Sequence, residues 1–210
     1  MLFLQIFNEK RFVFFFNPDY SNFMEDLFME FAYAVIDRFY TGFPELRNVL
    51  LKHSIQVKNK ALQIAKNCRM ELDLDVVANG ALLHDIGIIR CYAPDIFCQG
   101  DLPYIAHGCA GSAMLRELGN GFESYARICE RHTGSGLTAG EIISGNLPLP
   151  HIDLLPETPE EKLICLADKF FSKSGKMEEK PLTKIRRQMA KFGTPAAERF
   201  EELMAFFDLC

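Results

Sequence analysis

One short stretch of the chain ends an apolar run on two adjacent ionisable residues: Gly80-Ala81-Leu82-Leu83-His84-Asp85-Ile86-Gly87. The apolar residues before the pair have helical spacing. We expect Asp75 to cap this helix and Gly87 to end it. A histidine or an aspartate that faces a protein core is costly unless it has a partner. His84 and Asp85 therefore need partners, and other parts of the chain must supply them.

On both sides of this stretch, apolar residues recur with the i, i+3, i+4, i+7 spacing of one helical face. No run alternates with period two over a convincing length. The pattern predicts an all-α fold of about seven or eight helices, with loops over 94–100 and 144–157. Besides the helix that ends at Gly87, the predicted helices cover residues 24–39, 45–68, 103–118, 122–134, 158–171 and 182–207, the last one broken near 193–195.

Composition excludes several classes of protein. The chain has 210 residues, 49% of them hydrophobic and 24% charged, which is typical of a globular protein and not of a disordered one. Its formal net charge of −5 does not favour a nucleic-acid partner. The seven cysteines form no CxxC pair, so we expect reduced thiols and a cytoplasmic protein.

The amino terminus is rich in phenylalanine, but charged residues interrupt its apolar stretch. It has neither the cleavage site of a signal peptide nor the length of a membrane span. We therefore expect residues 1–23 to form an extension outside the functional domain. That domain is predicted over residues 24–210, with its motifs in 45–175 and its last helices in 182–207.

Further polar residues occupy apolar helical stripes, as His84 and Asp85 do. They are His53, His107, His132 and Asp168. Each one alone is more often a hydrogen-bonded core residue than a metal ligand. Four histidines and two aspartates spread over several helices are harder to explain in that way, and a shared metal is one efficient partner for all of them. The fifth histidine, His151, lies in a proline-rich loop and has no motif around it.

These residues carry a resemblance to a known family. His53, the pair His84-Asp85 followed by Ile86-Gly87, and the later Asp168 resemble the HD-domain superfamily of metal-dependent phosphohydrolases. The resemblance covers residues 45–175. It implies a single helical HD-domain bundle in which His53, His84, Asp85 and Asp168 bind a divalent metal.

Two intermediate histidines extend this resemblance. His107 and His132 fall between the His-Asp pair and Asp168, as in the HD proteins that have a two-metal site. In that subset the aspartate of the pair bridges both ions. The order and spacing are similar to those of the bacterial symmetric dinucleoside tetraphosphatases, although the segment 144–157 and the long ends depart from them.

The ligand types fit this chemistry. Imidazole and carboxylate suit Fe, Mn, Co, Ni or Zn and argue against calcium. Two such ions would hold a phosphate oxygen and lower the pKa of a bridging water. The residues assigned to catalysis are His84, Asp85 and Lys169, the last because it resembles the lysine found on the phosphate side of such sites.

The prediction is therefore metal-dependent hydrolysis of a phosphoester or phosphoanhydride in a small nucleotide. A dinucleoside polyphosphate is favoured, and a nucleoside monophosphate or cyclic nucleotide is the next alternative. A non-catalytic nucleotide sensor and a di-iron oxygenase stay open as alternatives. The expected partner is a small phosphorylated molecule and not a membrane. A nucleic acid is disfavoured, and a homodimer is left open.

Overall fold

The computed structural model describes residues 31–209, which are predominantly helical. The prediction of residues 1–23 as an extension lies outside this range. The α-helices within it are α1 (31–40), α2 (Pro44–Asn67), α3 (Leu74–Leu83), α4 (His107–Arg116), α5 (Glu123–Arg131), α6 (Ala139–Ser144), α7 (Pro159–Asp168), α8 (Leu182–Lys191) and α9 (Thr194–Phe206). The all-α class is confirmed. The described residues form nine α-helices, whereas the sequence predicted seven or eight. The difference comes from α6, which was not predicted, and from the break near 193–195, which separates α8 from α9.

Short 3-10 helices connect several of the α-helices. They cover Ile86–Arg90, Pro94–Ile96, Tyr104–Ala106 and Asn120–Phe122. Two short strands, β1 (Tyr92–Ala93) and β2 (Cys98–Gln99), lie on either side of the 3-10 helix Pro94–Ile96 and pair antiparallel. The predicted loop over 94–100 therefore contains a 3-10 turn and one of these strands. Two-residue strands are too short for an alternating pattern to reveal.

Among the described helix starts, side chains cap α3, α6 and α7, and two predictions for α3 need correction. Asp73, not Asp75, caps α3, because its side chain accepts hydrogen bonds from the backbone N–H groups of Asp75 and Val76. α3 also ends at Leu83 and not at Gly87, so His84 and Asp85 lie in the turn that follows. Thr158 and Glu161 form a capping box at the start of α7.

The described residues form three hydrophobic clusters, and α2 takes part in the two larger ones. Leu46 and Leu50 pack in the cluster that includes α1 and α4. Val57 and Ala61 pack in the other cluster, with α7, α8 and α9. His53 lies between these two pairs on the same buried face of α2. The fold therefore places this histidine where the two clusters meet.

The turn after α3 fits closely against α4. A side chain at Gly87 would collide with the carbonyl oxygen of His107 and with the backbone of Gly111. Only glycine allows the 3-10 segment to approach α4 this closely. This contact brings His84 and Asp85 next to the first residue of α4, His107.

The six cysteines within residues 31–209 are free thiols. The prediction of reduced cysteines is confirmed for these six. Among the helices of residues 31–209, none combines the length and the apolar character that a bilayer crossing requires.

Candidate metal centre

The fold brings together all six side chains that were predicted as ligands. His53 comes from the middle of α2, whereas the other five lie at or just beyond helix ends. His84 and Asp85 follow α3, His107 begins α4, His132 follows α5 and Asp168 ends α7. The four histidines and Asp85 are buried, and 13% of the Asp168 side chain is exposed.

Four of these residues form one group around an oxygen of Asp85. His53 Nε2 lies 3.1 Å from Asp85 Oδ2 and 2.9 Å from Asp168 Oδ1. His84 Nε2 lies 3.1 Å from the same Asp85 oxygen and 3.6 Å from Asp168 Oδ1. The ligand atoms of this group all lie within 4.8 Å of one another.

The second group uses the other oxygen of Asp85. His107 Nε2 and His132 Nε2 lie 3.3 Å and 3.4 Å from Asp85 Oδ1. The two Nε2 atoms are 3.0 Å apart. Asp85 therefore directs one carboxylate oxygen to each group, so its side chain is shared by both.

The spacing of these atoms fits metal ligation. Ligands about 2.1 Å from one ion are separated by roughly 3.0–3.4 Å in octahedral or tetrahedral geometry. Most of the distances above fall in or near that range. Among the described residues, both Asp85 oxygens and His84 Nε2 are buried and lack a hydrogen bond of good geometry. Asp85 Oδ2 has the Lys173 ammonium at 2.6 Å. Since buried polar atoms nearly always have partners, Asp85 Oδ1 and His84 Nε2 fit the coordination of a divalent cation.

The backbone orients three of the imidazoles. The Nδ1–H groups of His84, His107 and His132 each donate to the carbonyl oxygen three residues earlier, at 2.6 Å, 2.7 Å and 2.7 Å. A proton on Nδ1 leaves the lone pair on Nε2, the atom that faces Asp85. The repeated contact therefore fixes the tautomer that metal ligation requires.

The two groups differ in their electrostatics. Burial disfavours the charged form of His84, but Asp85 and Asp168 outweigh it and raise the pKa of His84 to about 9. In contrast, burial dominates at His107 and lowers its pKa to about 3. Burial also lowers the pKa of His132. Burial alone would raise the pKa of Asp85, but the positive charges of His84 and Lys173 outweigh it and hold this pKa well below the usual range.

Lys169, which was predicted to contact phosphate, is almost fully buried. Its ammonium lies 2.7 Å from Asp168 Oδ2 and donates a hydrogen bond to the His132 carbonyl oxygen at 3.0 Å. The thiol of Cys165 contacts the same carbonyl oxygen. Lys169 therefore holds two of the candidate ligands in place, and its contact with a phosphate stays a prediction.

The sequence prediction missed Lys173. Its ammonium lies 2.6 Å from Asp85 Oδ2 and 5.8 Å from the centre of the Tyr104 ring. Burial lowers the pKa of Lys173, but the Asp85 carboxylate outweighs it and raises this pKa above its usual value. Lys173 lies in a loop after α7 and belongs to no motif, so only its position five residues after Asp168 could have drawn attention to it. His151 is exposed and belongs to neither group.

The relatives of this chain include three archaeal proteins. An uncharacterized protein of Methanocaldococcus jannaschii is 36% identical over 146 residues, which cover 68% of this chain and 78% of the relative. A tRNA (cytidine(56)-2'-O)-methyltransferase of Picrophilus torridus is 36% identical over 125 residues. An enzyme of the same name from Thermoplasma volcanium is 33% identical over 158 residues.

The two methyltransferases are aligned over only part of their length. The aligned residues make up 60% and 75% of this chain, but 32% and 41% of the respective enzymes. No solved structure matches this chain significantly. The family model of the HD domain matches residues 50–172, a range that contains all six candidate ligands. The chain therefore belongs to the HD domain family.

Proposed function

We propose that this protein is a metal-dependent phosphohydrolase that binds two divalent ions and cleaves a phosphoester or phosphoanhydride bond in a small nucleotide. The observation that carries the proposal is the orientation of Asp85, whose two oxygens face two separate sets of imidazoles. A single structural ion would need only one of these sets.

The donor set indicates which ions suit the centre. Four imidazoles and two carboxylates favour Fe, Mn, Co, Ni or Zn. Divalent ions held there would polarise phosphate oxygens and lower the pKa of water near the scissile bond. The residues of the chain supply placement. Asp85 would contribute one oxygen to each ion position. The imidazoles held by the backbone would supply the other ligands at fixed places around it.

Three residues are assigned to catalysis. Asp85 and His84 would bind the ion in the group that also contains Asp168. Lys169 forms an ion pair with Oδ2 of Asp168. Because Lys169 also holds the His132 carbonyl oxygen, it links the two ligand groups. Its loss should therefore disturb both positions together.

The preferred substrate within this class is a dinucleoside polyphosphate. The proposal rests on the order of the six ligands, which is similar to that of the symmetric dinucleoside tetraphosphatases. None of the three relatives above carries that name. We do not propose methyl transfer, because the aligned part covers less than half of each methyltransferase, whereas the HD domain model matches residues 50–172 of this chain.

The test combines metal content with phosphate release from a panel of nucleotides, for wild type, Asp85→Ala and Asp95→Ala. Asp95 is exposed and lies outside both ligand groups, so it serves as the matched control. We expect Asp85→Ala to lower turnover by at least about a hundredfold and Asp95→Ala to leave it unchanged. Circular dichroism checks that both variants are folded.

Equal activity of wild type and Asp85→Ala would contradict the proposal. Nucleotide binding without phosphate release would favour the sensor. Bound iron with oxygen consumption and no hydrolysis would favour the oxygenase.

A further inference from the structure

A loop over residues 172–180 follows α7 and lies beside the metal centre. The chain turns at Gly175 and Met177, both of which have positive φ. The loop then closes on its own start, because the backbone N–H of Lys180 donates to the Phe170 carbonyl oxygen at 2.7 Å. Lys180 is therefore held next to the turn that follows Asp168.

The same loop is attached to α2, the helix that carries His53. Gln56 donates from Nε2 to the Met177 carbonyl oxygen at 2.6 Å. Lys60 forms an ion pair of 2.6 Å with Glu179. The loop therefore bridges two of the helices that supply ligands, and its side chains have a defined position relative to the centre.

Three partly or almost fully buried lysines lie in this loop or just before it, but only two have a carboxylate partner. Lys169 pairs with Asp168, and Lys173 pairs with Asp85. Lys180 is half-buried and, among the described residues, has no ion-pair or side-chain hydrogen-bond partner. The nearby Glu179 does not serve it, because that carboxylate is engaged by Lys60.

A bound anion at Lys180 would reduce the repulsion between this ammonium and the neighbouring positive charges. Burial, which is the largest cause, and the positive charges of the neighbouring lysines together lower the pKa of Lys180 to about 8, against the opposing effect of Asp168. Divalent ions at the two ligand groups would add positive charge next to these lysines. Clustered positive charge of this kind favours a multiply charged anion such as phosphate.

We propose that Lys180, together with Lys173, binds a second phosphate of the substrate, beside the phosphate that is held at the metal centre. This inference rests on the proposed function and deepens it. The substrate class would then be a phosphoanhydride with at least two linked phosphates, and a simple monoester would leave Lys180 without a partner.

The test measures equilibrium binding to the manganese-loaded protein by calorimetry. The two probes are imidodiphosphate, a diphosphate that resists hydrolysis, and orthophosphate. The variants are Lys180→Gln, Lys180→Arg and the control Lys176→Gln, which removes the same charge from an exposed position in the same loop. Metal content is measured before and after each titration, since diphosphates chelate free ions.

We expect Lys180→Gln to weaken imidodiphosphate binding by about tenfold or more, because the variant loses one charge-assisted hydrogen bond. Orthophosphate binding should change less than about twofold, Lys180→Arg should retain most of the affinity, and Lys176→Gln should match wild type.

Equal imidodiphosphate binding by wild type and Lys180→Gln would overturn the inference. So would an equal loss in Lys176→Gln, because the effect would then be a diffuse one of net charge. Failure of the wild type to bind imidodiphosphate more tightly than orthophosphate would also overturn it. Absence of phosphate release from every nucleotide would remove the proposed reaction, and the binding data would still decide whether this second phosphate site exists.

Discussion

At the scale of single residues, the centre is organised by Asp85. Its two oxygens face different histidine pairs, and the Lys173 ammonium lies next to one of them. The sequence predicted the histidines and aspartates because each interrupts an apolar helical stripe. It could not predict Lys173, because a lysine in a polar loop is ordinary until the fold shows where the loop lies.

The contact between Lys173 and Asp85 leads to a stability prediction. Without metal, replacing Lys173 by methionine leaves a buried carboxylate with fewer counter-charges and should lower the free energy of unfolding by about 1–3 kcal/mol. With metal bound, the ions neutralise Asp85, so we expect the difference between wild type and Lys173→Met to shrink. Urea unfolding in EDTA and in Mn²⁺ measures both quantities.

Lys176→Met is the matched control, since Lys176 is exposed in the same loop. A loss for Lys173→Met that is equal with and without metal would contradict this role of Lys173.

The opposite pKa shifts of the histidines predict a difference between the two metal positions. His84 has a pKa raised to about 9 in the metal-free protein, so a metal must displace its proton at neutral pH. Affinity at the His53 and His84 position should therefore rise about tenfold per pH unit between about pH 6 and 8. His107 has a pKa lowered to about 3 and is already neutral there, so affinity at its position should stay nearly constant.

Metal titrations at several pH values, in buffers of different ionisation enthalpy, count the protons released. Two positions with the same pH dependence would contradict the prediction.

At the scale of secondary-structure elements, the ligands lie mostly where helices end. The periodic pattern predicted the long helices well, because each buries one apolar face. It extended α3 to Gly87 because apolar spacing continues through the turn, whereas the structure changes there to a 3-10 helix over Ile86–Arg90. It also missed the short α6, whose six residues give too little periodicity for a helix to be recognised.

The contact of Gly87 with α4 can be tested by a single methyl group. Gly87→Ala places a Cβ against the backbone of His107 and Gly111, which cannot move without displacing a candidate ligand. We expect a loss of about 1–3 kcal/mol or more in the free energy of unfolding, together with weaker metal binding.

Gly121→Ala is the control for Gly87→Ala, because a Cβ there meets no atom within 4 Å and that glycine has no positive φ. Denaturant unfolding compares the two variants. Equal stability of Gly87→Ala and wild type would show that the turn and α4 are less tightly packed than described.

At the scale of the whole molecule, the centre depends on contacts between distant parts of the chain. His53 and Asp168 are separated by 115 positions in sequence, yet their side chains lie 2.9 Å apart. The resemblance to HD proteins predicted that these residues would meet. Local periodicity alone could not predict this contact. It indicates which face of each helix is buried, but not which other helix packs against that face. The proposed boundary after residue 23 stays a prediction.

The bridging role of Asp85 is tested most directly by counting the metal ions bound per chain. Mass spectrometry of the metals in the manganese-loaded protein should give about two ions per chain in the wild type and about one in His107→Ala. The wild-type count reflects both ligand groups, and the variant loses one ligand of the second group. A count of about one in both proteins would contradict a two-ion centre.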